Sequence, residues 1–419
     1  MAILIRACTT IGFFYAGQPY FIVEYRCNVI RKDYGMRRIY LDNGATSFPK
    51  APGVADAMKY YIDHVGVSVN RGVYGSSLFA EETVLETREA LCRLFNFPDS
   101  SHVIFTLNIT YALNMLLKGI LQPGDHCIVS SLEHNAVMRP LTQLTKQGVT
   151  FTRVQADAKG FLNPDDVRAA IRSNTRAVVM THASNVCGTI LPLKEIGRIC
   201  HERRILFVVD SAQTAGALPI DFDDLHLDAL AFTGHKSLLG PPGVGGFLLN
   251  STLAAAMEPL ITGGTGSLSD SEEVPPFLPD KFEAGTPNIP GIFGLHAALQ
   301  YLEKEGVDNL HAQAMMLTGL FLEGVHAIKG FKVIGAAGTD GRTSVVSLDF
   351  PDADNAEIAH ALDKQYGIMT RSGMHCAPSA HQTLGTFPHG TVRFSFSHSN
   401  TREEIHCALE ALEKLAAKG

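Results

Sequence analysis

No two of the eight cysteines, at positions 8, 27, 92, 127, 187, 200, 376 and 407, form a CxxC pair, and no Cys/His block has zinc-finger spacing. Nothing in the sequence therefore reads as a metal site. A disulfide framework does not suit a chain this long with spacing this irregular. The thiols read as reduced and mostly buried in a cytoplasmic protein, with room for one reactive member. No stretch reaches the roughly 18 uninterrupted apolar residues of a membrane-spanning helix. Positive charge is not in excess either. Lys plus Arg is 35 against 42 Asp plus Glu, a net charge of −7. That balance speaks against coating nucleic acid or lying on an anionic membrane, and leaves open a local basic pocket for a small anion. There are no internal repeats and no low-complexity tract.

What the sequence does have is apolar material. Of 419 residues, 46% are hydrophobic and 18% charged, enough core for two domains and too much for a disordered or fibrous chain. The first 35 residues carry Phe13, Phe14, Tyr15, Tyr20, Phe21 and Tyr25 without a clear period. Arg6 interrupts the apolar run that a signal peptide needs. Residues 1–35 read as a poorly ordered, non-essential extension of the kind an upstream start codon adds, and Met36 opens the domain proper.

From about Pro52 to the 290s, helical and strand patterns alternate. Val54, Met58, Tyr61, Ile62 and Val65 follow helical spacing after Pro52, and Val84, Leu91 and Leu94 repeat it. Short apolar, β-rich runs lie at 103–106, 127–130, 151–154, 177–181, 206–210, 229–232 and 246–249. Most are continuous rather than alternating, as in strands buried on both faces of a mostly parallel sheet. Helical patterns at 113–120, 165–171 and 193–203 separate several of them, which predicts α/β layering with helices on both faces. A Gly, Ser and Pro-rich loop follows at 263–279. Beyond it, helices at 292–305, 310–328, 354–365 and 402–417 mix with strands at 331–334, 344–349 and 391–396. The reading is an N-terminal segment 36–50, a large domain 51–295 and a smaller α+β domain 296–419.

Three patterns carry chemistry. In Phe232-Thr233-Gly234-His235-Lys236, followed by Gly240-Pro241-Pro242-Gly243-Val244-Gly245, a strand ends in one lysine among small residues. Desolvation there lowers the amine pKa and makes it nucleophilic, as a Schiff-base lysine requires; a solvated surface lysine is the plain alternative. In Val208-Val209-Asp210-Ser211-Ala212-Gln213, an acid at a parallel strand's carboxyl end faces the ligand crevice of α/β sheets. It could pair with a protonated ring nitrogen or simply cap a helix. Phe105-Thr106-Leu107-Asn108-Ile109-Thr110 leads into a helix whose amides could hold a phosphate, or where Asn108 is only a cap. Nearby, His134 in Leu132-Glu133-His134-Asn135 follows a strand and is either functional or structural.

The ordered set Tyr40-Leu41-Asp42-Asn43-Gly44-Ala45-Thr46, Glu133-His134, Ser184-Asn185, Asp210-Ser211-Ala212-Gln213, Thr233-Gly234-His235-Lys236 and Phe282-Glu283-Ala284-Gly285-Thr286-Pro287 resembles the class V aminotransferase superfamily. Within it, the chain is similar to the cysteine desulfurases and selenocysteine lyases, from about Arg38 to the C-terminus. The resemblance implies the fold type I of pyridoxal 5'-phosphate (PLP) enzymes: a large PLP-binding domain with a mostly parallel seven-stranded sheet, plus a smaller C-terminal domain carrying a catalytic cysteine loop. It implies that Lys236 carries PLP in a Schiff base and moves the substrate Cα proton. Asp210 would hold the pyridine nitrogen, Gln213 the ring hydroxyl, and His134 would stack on the ring and assist catalysis. Thr110, the Ile109 amide, Thr233 and His235 would bind the phosphate. Gly285 and Thr286 would reach the phosphate of a partner subunit, making a homodimer. Asn185, facing both cofactor and substrate, would bind the substrate carboxylate with Arg393, and Arg371 would line the substrate site; arginine suits a carboxylate because its planar fork makes two bonds.

In Arg371-Ser372-Gly373-Met374-His375-Cys376-Ala377-Pro378, Cys376 stands where the desulfurase nucleophile would be, 17 positions before Arg393. That short spacing resembles the group II (SufS/NifS-like) enzymes. A buried, inert cysteine is the plain alternative, and His375 beside it would favour the thiolate. The chain departs from the family pattern at Met374, where a second His is commoner, and at Ile109-Thr110, where two threonines are. The implied reaction takes L-cysteine to L-alanine with a persulfide on Cys376, for transfer to a sulfur-acceptor protein and thence to uses such as iron–sulfur cluster assembly. Selenocysteine lyase, another class V activity such as aminotransferase or epimerase, and a non-catalytic PLP-binding protein of sulfur trafficking remain alternatives.

Overall fold

A computed structural model describes residues 10–15, 18–23, 38–69, 72 and 74–416. Strands β1 (Thr10–Tyr15) and β2 (Gln18–Val23) form an antiparallel hairpin in a unit of their own, Met1–Arg37. The rest of the anticipated 1–35 extension lies outside the described residues. Arg38–Gly419 forms the second unit. It begins with the short strand β3 (Ile39–Tyr40).

The central sheet holds β4 (Val103–Thr106), β5 (His126–Ser130), β6 (Thr150–Val154), β7 (Thr175–Thr181), β8 (Leu206–Asp210), β9 (Ala229–Thr233) and β10 (Gly245–Leu249), in the order β4-β10-β9-β8-β7-β5-β6. Strands β5–β9 pair in parallel, and β10 runs antiparallel to both neighbours. Every residue of β5, β9 and β10 is buried. The run of Val, Ile, Phe and Ala with no polar alternation therefore has apolar packing on both faces. Alternate residues serve opposite layers: Ile128, Val178 and Val209 join one hydrophobic cluster, and Cys127, Val129, Val179 and Val208 the other. Helices Gly75–Phe95 and Ile289–Glu305 pack together within the first cluster, and Ile109–Ile120 and Asn135–Thr145 within the second.

A second, antiparallel sheet contains β11 (Lys332–Ile334), β12 (Val345–Asp349), β14 (Arg371–Gly373) and β15 (Thr391–Ser395), in the order β11-β12-β15-β14. Strand β13 (Ile368–Met369) instead pairs in parallel with β3. Residues 39–41 thus join the core of the C-terminal layer, with Ile39 and Leu41 packed among Phe321, Phe394 and Leu412. The anticipated division at 295/296 falls inside the helix Ile289–Glu305. The helix Asn135–Thr145 was not legible in the sequence: it contains Pro140 and is capped by a histidine, neither a usual helix signal.

Two strands meet at one glycine. Gly246 of β10 stands opposite both Phe105 and Phe232, and a Cβ there would come within 2.1 Å of the Ile104 carbonyl oxygen. A clash with backbone cannot be relieved by a rotamer change. Gly246→Ala is expected to destabilise the protein by about 2 kcal/mol or more, read as a lowered denaturation midpoint in urea.

Candidate active site

Five loops that leave the carboxyl ends of strands of the central sheet converge at one edge, where α/β sheets bind ligands. They bring Ile109 and Thr110 after β4, His134 after β5, Asn185 after β7, Asp210 and Gln213 from β8, and Thr233, His235 and Lys236 from β9. The second sheet adds Arg371, Arg393 and Cys376.

Lys236 lies in the turn after β9, which closes through Gly234 N–H to Val244 O at 2.8 Å and Leu239 N–H to Lys236 O at 2.8 Å. Burial draws the Lys236 pKa down to about 8, against the opposing pull of Asp210, with Arg393 and Arg371 lowering it further. It is not a solvated surface lysine. Asp210 ends β8 at 2% exposure and accepts the Ala212 N–H at 2.9 Å. Burial raises its pKa, while the Ala212 amide and Lys236 oppose the rise. Gln213 is anchored by its Nε2–H on Gly44 O at 3.1 Å.

His134 is the N-cap of the helix Asn135–Thr145 and accepts the Ala136 N–H on Nδ1 at 3.0 Å. That bond leaves the proton of the neutral ring on Nε2. Burial, with Lys236 and Arg371 nearby, lowers its pKa to about 4, so the ring is neutral. The structural and functional readings of His134 are compatible, since the cap fixes the ring plane. The preceding Glu133 is fully buried and accepts from Ser130 Oγ at 2.5 Å and Thr181 N–H at 3.0 Å on one oxygen, while its Oε2 has no partner among the described residues.

Asn108 caps the helix Ile109–Ile120 by accepting the Thr110 and Tyr111 amides at 3.0 and 3.2 Å. The Ile109 amide stands at that helix end, and Thr110 is exposed. Thr233 Oγ1 is buried without a partner among the described residues. His235 is held neutral by burial and by Lys236, at about 4. Its carbonyl accepts Ser47 N–H at 3.0 Å and Lys50 Nζ at 2.7 Å. Gly285 and Thr286 are exposed and line two cavities, of about 430 and 240 Å³, that include none of Lys236, Asp210 and Cys376. Glu283 anchors their loop by two bonds from Arg88, at 2.9 and 2.7 Å, and one from Phe105 N–H at 2.6 Å.

Cys376 is exposed, which removes the inert-core reading. It follows His375 in an unusual pair of left-handed residues, φ +47° and +58°. Such backbone costs about 1–2 kcal/mol per residue and persists only where surroundings fix it. Here Asn185 Nδ2 donates to His375 O at 2.7 Å, Asn135 N–H to Cys376 O at 2.8 Å and Ala377 N–H to Met374 O at 2.9 Å. The turn sends the two side chains apart. His375 is buried with Nε2 on Thr391 Oγ1 at 3.0 Å, and burial drives its pKa to about 2. The expectation that His375 favours the thiolate is corrected: a buried neutral imidazole supplies no positive charge. The Arg371 guanidinium, not His375, lies beside the thiol, with Nη2 at 3.9 Å from Cys376 Sγ.

Arg371 and Arg393 stand directly opposite each other across β14 and β15. Arg393 is 1% exposed and donates to Asn185 O at 3.1 Å and Asp42 Oδ1 at 2.8 Å. Asp42, Gly44 and Lys50 are contributors that sequence reasoning did not assign. They lie in the quoted Tyr40–Thr46 motif or just after it, but their contacts are with residues 169 to 351 positions away.

A family model for class V aminotransferases matches residues 39–407, and the chain belongs to that family. Within it, several relatives of the chain carry the name cysteine desulfurase. It is 34% identical over 400 residues to a "Probable cysteine desulfurase" of Methanothermobacter thermautotrophicus, covering 94% of this chain and 99% of that protein. A protein of the same name from Pyrococcus abyssi is also 34% identical, over 92% of this chain and 96% of its own. The apo structure of a cysteine desulfurase from Thermococcus onnurineus superposes with a TM-score of 0.86 at 32% identity, covering 91% of this chain and 95% of that one. The cysteine desulfurase CsdA of Escherichia coli gives 0.81 at 29% identity, covering 90% and 94%. The anticipated fold, a mostly parallel seven-stranded sheet with a second α+β layer, is the one observed.

Burial, with a contribution from Asp210, raises the Glu133 pKa to about 8, although Ser130 and Thr181 oppose the rise. The unfolded carboxyl titrates near 4.3, so the folded state binds the extra proton between about 4 and 8. The stability this group contributes is complete below that window and lost as pH rises through it. Glu133→Gln, which stays neutral, is expected to gain stability relative to wild type from pH 5 to 8. Thermal melts across that range check it; a constant difference would contradict the assignment.

Proposed function

We propose that the protein is a PLP-dependent cysteine desulfurase that converts L-cysteine to L-alanine and leaves the sulfur as a persulfide on Cys376. The observation that carries the reading is the convergence of a desolvated Lys236, a buried Asp210 and an exposed Cys376 on an anchored turn. The residues fit PLP: Lys236 for its aldehyde carbon, Asp210 for its pyridine nitrogen, Gln213 for its ring hydroxyl and the fixed face of His134 for its ring. The unpartnered Thr233 hydroxyl, with the Ile109 amide, Thr110 and His235, suits a phosphate oxygen. Asn185 lies between cofactor and substrate. Gly285 and Thr286, exposed and held by Glu283, suit the phosphate of the partner subunit in a homodimer.

When bound, the cofactor takes up the electron pair left at the substrate carbon. Lys236, with its pKa near 8, offers an amine unprotonated often enough near neutral pH to link covalently and to accept the Cα proton. Asp210 keeps a proton on the ring nitrogen. Arg393 and Asn185 hold the substrate carboxylate, and Arg371 steadies the thiolate. The Cys376 thiolate attacks the substrate Sγ. The carbon–sulfur bond breaks with its electron pair retained at Cβ, which takes up a proton, and Lys236 returns a proton to Cα to complete alanine. The sulfane sulfur leaves the site on Cys376, for an acceptor protein in the cytoplasm.

Borohydride reduction of the holoenzyme is expected to tag the peptide containing Lys236. Cys376→Ala is expected to keep the visible cofactor absorbance while sulfide release from L-cysteine falls at least about a hundredfold. Undiminished sulfide release would remove Cys376 from the role, and label on another peptide would remove Lys236.

A further inference from the structure

Arg393 is almost wholly buried, yet its hydrogen-bonding capacity is only partly used. One Nη donates to Asn185 O at 3.1 Å and the other to a single oxygen of Asp42 at 2.8 Å, while Nε is buried with no partner among the described residues. A carboxylate docked in two parallel bonds would use more of the fork. Asp42 is also the more accessible member of the pair, with 18% of its side chain exposed against 1% for Arg393. Its backbone is fixed: its carbonyl accepts Ala45 N–H at 3.0 Å and Tyr40 Oη–H at 3.1 Å, and it bridges to Ser395. Only the short side chain is free to turn away.

We infer that Asp42 is a built-in competitor for the substrate carboxylate, covering the Arg393 guanidinium until a ligand displaces it and thereby setting the affinity for L-cysteine. The inference rests on the reading of Arg393 as the carboxylate-binding residue. A buried guanidinium without a counter-charge is strongly unfavourable, so the empty site needs Asp42. Two carboxylates on one fork repel each other, so ligand and Asp42 exclude one another. Asp42 is a positioning and specificity residue that touches no reacting atom.

The test uses propionate, which carries the carboxylate without the amine or thiol, titrated calorimetrically into the holoenzyme. Asp42→Asn removes the charge and keeps the shape. It is expected to bind propionate about tenfold more tightly, the scale of one charge-assisted hydrogen bond, and to lower KM for L-cysteine by a similar factor. Asp42→Ser, shorter and neutral, is expected to act in the same direction and serves where the Asn variant melts early. Unchanged or weaker propionate binding in a folded neutral variant overturns the inference. Arg393→Ala separates the two layers. If it binds propionate as wild type does, the carboxylate role of Arg393 itself fails; if it loses binding while the Asp42 variants gain none, only the competitor role fails.

Discussion

The site depends on Asn185. Its carbonyl accepts from Arg393 of the second sheet, and its side chain donates to the His375 carbonyl in the cysteine turn. It stands just beyond β7 of the first sheet, so this one residue ties together the edge that presents Lys236 and Asp210, the strand that presents Arg393 and the turn that presents Cys376. Neighbouring bonds reinforce the tie. Ser347 Oγ donates to Val186 O at 2.6 Å, and buried Arg342 donates to Ala336 O at 2.6 Å and Cys187 O at 3.2 Å. Arg342 thus serves main-chain carbonyls instead of a carboxylate, an arrangement that closes the seam between the two sheets and accounts for a buried cation away from any ligand.

The electrostatics of the cleft follow from the same closure. Lys236, Arg371 and Arg393 face Asp210 and Asp42, a local excess of positive charge in a chain whose total is −7. Burial keeps His134, His235 and His375 neutral, so the imidazoles act as shaped hydrogen-bonding surfaces and not as further cations. An anionic small molecule is drawn to such a cleft, while a net charge of −7 gives no reason to bind nucleic acid.

How far the sequence anticipated this depends on the range of the interactions involved. The helix at 193–203 and the strand at 206–210 coincide with the observed elements, because continuous apolar runs and helical spacing are local signals. Strands of two or three residues, such as β3, β13 and β14, carry no periodicity and exist only through tertiary pairing. Lys236 and Asp210 stood out because each lies at the end of a strong strand, whereas Asn185 entered only through the resemblance. Asp42 was visible only as part of a motif, since its partner Arg393 is 351 residues away. The His375 expectation failed for a different reason: adjacency in sequence was taken for adjacency of side chains, and two consecutive left-handed residues separate them.

That same turn sets where the thiol of Cys376 stands. Its carbonyls are bonded inward, to Asn185 and to the Asn135 amide, while the thiol projects outward. A sulfur atom added to Cys376 extends about 2 Å beyond the original thiol, away from the bonds that hold the loop. Under the proposed function, the transferred sulfur would therefore stand at the surface, on a turn whose backbone is held from the inner side.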